Sequence, residues 1–67
     1  MEPEDALELQ RIYLEALLRV EAHAAEVAAD FGLVRLGELI RAERRCIEGA
    51  LVNIDAALDA LRDRELP

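Results

Sequence analysis

The chain has 67 residues and a formal net charge of −7, which argues against a nucleic acid or an anionic membrane surface as its main target. A chain this short builds one small domain, whose core contributes only about 3–5 kcal/mol unless a disulfide, a metal or a partner adds to it. Because Cys46 is the only cysteine and His23 the only histidine, an internal disulfide is excluded, a metal site is not expected, and a partner remains.

The first predicted helix runs from about residue 3 to about residue 30. Pro3 suits the first turn, where its missing N–H costs nothing, and Glu4 and Asp5 favour the positive end of the helix dipole. No breaker follows until Gly32, which suits the left-handed position after a helix. The acidic start is unlike a signal peptide, and no uncharged stretch approaches the ~20 residues of a membrane span. We therefore expect a cytosolic protein that does not cross a membrane.

The second predicted helix runs from about residue 36 to about residue 64, after a turn at about 31–35, and Leu66 and Pro67 should fray. Its apolar residues recur at alternating steps of four and three, the pattern of a seam that packs on another helix. The seam comprises Leu36, Ile40, Glu43, Ile47, Ala50, Ile54, Ala57 and Leu61, and Leu39, Leu51 and Leu58 widen it. Because the connection is short, the predicted fold is an all-α, antiparallel two-helix hairpin in a single domain, residues 1–67.

The two helices have more apolar surface than they can bury against each other. The first helix is apolar over about half its circumference. One side holds Leu9, Tyr13, Ala16, Val20, Ala24, Val27 and Phe31, and the other holds Leu7, Leu14, Leu17, Leu18, Ala25 and Ala28. One facing helix covers a narrower stripe than this, so the rest would remain exposed as one apolar patch. Monomeric proteins rarely expose an apolar patch larger than roughly a few hundred Å². We therefore expect the hairpin to complete a bundle with another helical protein or with a second copy.

A stripe of small residues follows the second helix at the same four-and-three spacing. It comprises Ala42, Cys46, Gly49, Asn53, Ala56 and Ala60. Small side chains let another helix approach closely, although a mildly polar, solvated face is the alternative interpretation. Gly49 favours close packing, because a glycine within a helix costs about 1 kcal/mol relative to alanine.

No combination of residues points to catalysis, a cofactor or a small-molecule substrate, and we expect no enzyme activity. Glu43 interrupts the apolar seam, where we expect it to pair with an arginine, reach the edge or fix the helix register. The only basic cluster comprises Arg41, Arg44 and Arg45, with Glu38 and Glu48 beside it. Surface pairing explains this cluster, and a contact with an acidic partner or RNA is the alternative. We expect His23 to be exposed or at a boundary, and Cys46 to be a small residue at a contact.

Twelve residues are predicted to contact a partner. They are Leu14, Leu17, Leu18, Ala42, Cys46, Ile47, Gly49, Ala50, Leu51, Asn53, Ile54 and Ala56.

The segment Ala42–Ile54 resembles the small needle co-chaperones of type III secretion systems, in which a late helix carries an Ala/Leu-Glu-Gly/Ser-Ala/Gly-Leu/Ile pattern. The overall length, the unbroken first helix and the short turn agree with that family. The resemblance implies a hairpin that pairs with a larger tetratricopeptide-like chaperone and holds the needle subunit in the bacterial cytosol. It places partner contacts at Ile47, Gly49, Ala50, Leu51 and Ile54.

A different hypothesis is a self-associating hairpin. Two copies would form an antiparallel four-helix bundle with a structural or regulatory role, similar to the plasmid copy-number regulator that binds RNA hairpins. A regulator from a phage or a toxin–antitoxin pair, or an engineered bundle, also fits the pattern. A co-chaperone is expected to be monomeric or weakly associating when alone, whereas a self-associating hairpin is expected to be a stable dimer.

Overall fold

A computed structural model describes residues 1–65 of the chain and contains two α-helices, α1 (Pro3–Asp30) and α2 (Val34–Glu65). Since only residues 31–33 connect them, the helices return alongside each other and form a rod of 55 × 17 × 13 Å. This confirms the predicted all-α, antiparallel two-helix hairpin. Leu66 and Pro67, for which fraying is predicted, lie outside the described residues.

The turn ends α1 with a Schellman motif. Gly32 has a positive φ of 67°, a conformation that only glycine adopts at low cost. The N–H of Leu33 donates to the carbonyl of Ala28 at 2.8 Å, and the N–H of Gly32 donates to that of Ala29 at 3.2 Å. These bonds satisfy carbonyls that the end of a helix leaves without partners.

The second helix begins at Val34, at the early end of the predicted boundary around residue 36, and the turn is shorter than the predicted 31–35. The reason is local, because the N–H of Gly37 already donates to the carbonyl of Leu33 at 3.0 Å. The first helical hydrogen bond therefore forms directly after the left-handed Gly32.

The core lies between the two helices over most of their length. Its central cluster consists of Leu14, Ile47, Ile54 and Leu58, against which Leu7, Leu17, Leu18, Ala50 and Leu51 pack. Ala28 and Ile40 are buried nearer to the turn. Burial of these side chains is the main source of stability, at about 25 cal/mol per Å² of apolar surface.

The predicted seam of α2 is confirmed at Ile40, Ile47 and Ile54, which are buried, but it is wrong at two positions. Glu43 and Leu36 are exposed, and Arg44 is half-buried in place of Glu43. The line that faces α1 runs through Ile40, Arg44, Ile47, Leu51, Ile54, Leu58 and Leu61. This line has the same four-and-three spacing, and it turns two leucines toward α1 where the predicted line has two alanines. The larger side chains bury more apolar surface, which favours this rotation of α2.

Over the described residues, neither α1 nor α2 includes a stretch that is both long and apolar enough to span a lipid bilayer.

Candidate helix-binding face

The ion pairs between the helices all lie on one side of the hairpin. Arg11 contacts Asp55 at 3.3 Å, and Arg62 contacts Glu4 at 3.3 Å and Glu8 at 2.9 Å. We call this side the charged face. It comprises Glu4, Glu8, Arg11, Glu15 and Arg19 of α1 and Glu48, Asp55, Asp59 and Arg62 of α2.

Arg11 contacts two carboxylates of the charged face. It joins the two helices through Asp55 and also contacts Glu8 of its own helix at 2.7 Å. The hydrogen bond with Asp55, followed by the charge of Glu8, raises the pKa of the Arg11 guanidinium above its ordinary value. Arg11 therefore stays charged at all ordinary pH values. These pairs are partly solvated, so each adds little to the stability of the hairpin.

The opposite side of the hairpin is mostly apolar and uncovered. Because an α-helix has 3.6 residues per turn, these side chains lie about half a turn from the residues in the ion pairs. We call this side the open face. It comprises Gln10, Tyr13, Leu17, Val20 and Ala24 of α1 and Leu39, Glu43, Cys46, Ala50, Asn53 and Ala57 of α2. Tyr13 and Val20 are the most exposed of its large apolar residues, at 61% and 63%.

The two helices carry side chains of different size on the surface that points away from the contact between them. The outer surface of α1 carries exposed large residues, among them Leu9, Tyr13 and Val20. The predicted small-residue stripe of α2 is exposed at all six positions, from Ala42 to Ala60. Among the described residues, no atom outside the local backbone lies within 4 Å of a Cβ built at Gly49. The hairpin itself therefore gives no packing reason for a glycine at this position.

The structure divides the twelve predicted partner contacts into two groups. Leu14, Ile47 and Ile54 are buried between the helices, and Leu17, Leu18, Ala50 and Leu51 are half-buried beside them. The surface of the three buried residues is already occupied by the opposite helix. The other five, Ala42, Cys46, Gly49, Asn53 and Ala56, are exposed on α2. Half-buried Leu17 and Ala50 border this exposed surface, so a partner can reach them as well.

Two polar residues with long side chains interrupt the open face. Glu43 lies on α2 toward the turn, and Gln10 lies on α1 toward the chain ends, and both are exposed. Tyr13 adds a hydroxyl group near Gln10. A partner that covers the open face must satisfy these polar groups, because burying them without hydrogen bonds is costly.

Two charged residues that the sequence pattern does not single out, Glu21 and Arg44, are half-buried. The Oε2 atom of Glu21 and the Nε atom of Arg44 are buried and have no hydrogen-bond partner among the described residues. Glu21 follows Arg11 by ten residues on α1, and Arg44 precedes Asp55 by eleven residues on α2. Because Arg11 and Asp55 are in contact, Glu21 and Arg44 lie at about the same level of the hairpin. The four-and-three spacing of apolar residues on α2 leaves room for one charged residue in the line that faces α1. The predicted seam has Glu43 at this place, whereas the structure has Arg44.

The remaining titratable residues whose burial the structure describes are on the surface or at its edge. His23 is exposed, as predicted, with its Nδ1 atom 3.8 Å from Oε2 of Glu26. Arg41 and Arg45 are exposed and form no ion pair among the described residues, whereas Glu38 pairs with Arg35 at 3.5 Å. Over the same part of the chain, no three potential ligands cluster in a way that would hold a metal ion.

Compared with known proteins, the chain matches no family model, no curated protein and no solved structure.

Proposed function

We propose that this protein is a non-enzymatic interaction protein that buries its open face against the helices of another chain. The observation that carries the proposal is the asymmetry of the hairpin. One side is joined by ion pairs between the helices, whereas the other carries exposed Tyr13 and Val20 beside a stripe of small residues. An uncovered apolar side along a whole rod is typical of half of a helical bundle.

Within this role, we propose a cytosolic co-chaperone of a type III secretion needle subunit. The support is the resemblance of the segment Ala42–Ile54 to that family. Three residues of the segment, Cys46, Ala50 and Asn53, belong to the open face and are small enough for a partner helix to approach closely. The partner expected from the resemblance is a tetratricopeptide-like chaperone, which is itself built of helices.

The test is a titration of the purified chain with the tetratricopeptide-like chaperone and the needle subunit encoded in the same genome. We expect a complex by light scattering and a dissociation constant that Val20→Glu raises at least about tenfold, which is about 1.4 kcal/mol. The physical reason is that Val20 would be buried against the partner, where a carboxylate has no ion-pair partner.

Ile12→Glu is the matched control. Ile12 is a β-branched residue of the same helix with a similar exposed fraction, 59%, but it lies outside the open face. It should change the dissociation constant less than about twofold. Equal effects of the two variants would contradict a role of the open face, and the absence of any complex with the wild-type chain would contradict the co-chaperone proposal.

Self-association is the second candidate, and the orientation of α2 favours it. The predicted seam of α2, which includes Glu43, Ala50 and Ala57, is rotated from the line that faces α1 toward the open face. In a four-helix bundle each helix contacts two neighbours, so the centre of its apolar stripe points between them.

A further inference from the structure

The charged side of the hairpin changes its character near the turn. Ala29 follows Arg11 by eighteen residues, about five turns of α1, and Arg41 precedes Asp55 by fourteen residues, about four turns of α2. Both therefore lie on the side that carries the Arg11–Asp55 ion pair, opposite the open face. Toward the chain ends, ion pairs bridge the two helices on this side, whereas alanines and a glycine lie there toward the turn.

These small residues leave a cleft of about 240 Å³ between the helices. We call it the turn cleft. It is lined mainly by Ala25, Ala28 and Ala29 of α1 and by Gly37 of α2, and exposed Arg41 borders it. Because small-molecule pockets have roughly 300–1,000 Å³, this cleft suits a single side chain better than a cofactor.

Positive charge collects beside the turn cleft without a carboxylate to balance it. The Nη2 atom of Arg41 lies 3.9 Å from the position that a Cβ would take at Gly37. Neither Arg41 nor Arg45, one turn further along α2, has an ion pair within residues 1–65. In the same part of the chain, the Nε atom of Arg44 is buried without a hydrogen-bond partner. The surface pairing that the sequence predicts for this basic cluster is therefore absent from the described hairpin.

We infer that the turn cleft binds an acidic segment of a partner chain, which inserts one apolar side chain between Ala25 and Gly37 and places a carboxylate against Arg41. The site lies on the opposite side of the hairpin from the open face. It therefore does not rest on the proposed function.

The apolar cleft and the arginines together specify this occupant. The cleft removes an apolar side chain from water, and a guanidinium binds a carboxylate through two parallel hydrogen bonds. A nucleic acid would contact the arginines through its phosphates, but it has no apolar side chain for the cleft. The net charge of −7 also repels a long polyanion more strongly than a short acidic segment.

The test is an NMR titration of the full-length, isotope-labelled chain with a blocked pentapeptide that has leucine at its centre and glutamate elsewhere. The amide signals of Ala25, Ala29 and Gly37 should shift and saturate, while those of Tyr13 and Val20 on the open face should not. Replacing the glutamates of the peptide by glutamine should raise its dissociation constant at least about fivefold, and so should replacing the leucine by glycine.

Two variants of the chain test the two parts of the site. Arg41→Gln should raise the dissociation constant of the peptide at least about fivefold. Arg35→Gln is the matched control, because it removes the same charge from an exposed residue of α2 outside the lining of the cleft, and it should change the constant less than about twofold. Gly37→Leu, whose side chain would occupy the cleft, should abolish binding, and helical circular dichroism verifies that each variant folds.

Equal effects of Arg41→Gln and Arg35→Gln would overturn the inference, because net charge alone would then explain the attraction. So would the absence of shifts at millimolar peptide, saturating shifts on the open face instead of the cleft, or tighter binding of a single-stranded RNA of similar length. The proposed function fails or holds separately, since Val20→Glu and the secretion chaperone decide it.

Discussion

At the scale of single residues, Glu21 and Arg44 are the least expected members of the hairpin. Each has a buried polar atom without a hydrogen-bond partner among the described residues. Both residues are half-buried, and they form no ion pair with each other. Burying a polar atom without a hydrogen bond removes favourable hydration that nothing restores, so apolar residues of similar volume are often as stable or more stable at such positions.

Replacing both residues with leucine should therefore stabilise the hairpin. We expect Glu21→Leu with Arg44→Leu to raise the free energy of unfolding by about 1 kcal/mol in urea titrations followed by helical circular dichroism. Arg44→Leu alone should be less stable than the double variant by about 1 kcal/mol, because it leaves the Oε2 atom of Glu21 buried without a hydrogen bond. Equal stability of the single and the double variant would show that the burial of this atom does not lower stability.

At the scale of the helices, two glycines have opposite roles. Gly32 ends α1 with a positive φ of 67° and gives its conformation to the turn. Gly49 lies in the middle of α2, where a Cβ meets open space. The backbone conformation makes glycine necessary at the first position, while nothing within the hairpin requires it at the second.

The same substitution should therefore have opposite effects at the two positions. Gly32→Ala should lower the free energy of unfolding by about 1–2 kcal/mol, because an L side chain is strained in the left-handed region. Gly49→Ala should raise it by about 0.5–1 kcal/mol, because alanine is the better helix former. Urea titrations at low protein concentration measure both values. A destabilising Gly49→Ala would mean that another helix already packs against this position.

At the scale of the whole molecule, charge is distributed unevenly between the helices. Residues 1–30 contain eight of the fifteen acidic residues but only two of the eight basic ones. The ion pairs from Arg62 to Glu4 and Glu8 offset part of the repulsion within α1. The remaining net charge opposes both folding and association with a second acidic chain.

Salt should therefore stabilise the protein. Raising the ionic strength from about 10 mM to about 150 mM shortens the screening length from about 30 Å to about 8 Å, and the melting temperature should rise by a few degrees. The control combines Glu2→Gln with Asp5→Asn, which removes two exposed negative charges from the start of the chain and should reduce the rise. A falling melting temperature would mean that the ion pairs outweigh the repulsion.

The sequence was sufficient for the helices and for most of their contact. Ile40, Ile47 and Ile54 recur at helical spacing, and Gly32 marks the turn, so the hairpin follows from local rules. Of the open face, Tyr13, Cys46 and Asn53 were placed outside the predicted seam, and the structure leaves all three exposed. That Arg44 rather than Glu43 lies in the line that faces α1 was not predictable. Both positions fit a four-and-three pattern on a helix with two apolar stripes.

The sequence by itself determined two amphipathic helices, an antiparallel hairpin and an excess of apolar surface, because helical periodicity and turn chemistry act within a few residues along the chain. Only the tertiary structure decided how far each helix rotates about its axis. That rotation depends on which pairs of side chains bury the most surface against each other, a property of two helices together. It turned Leu51 and Leu58 toward α1, and it left Glu43, Cys46 and Asn53 on the open face.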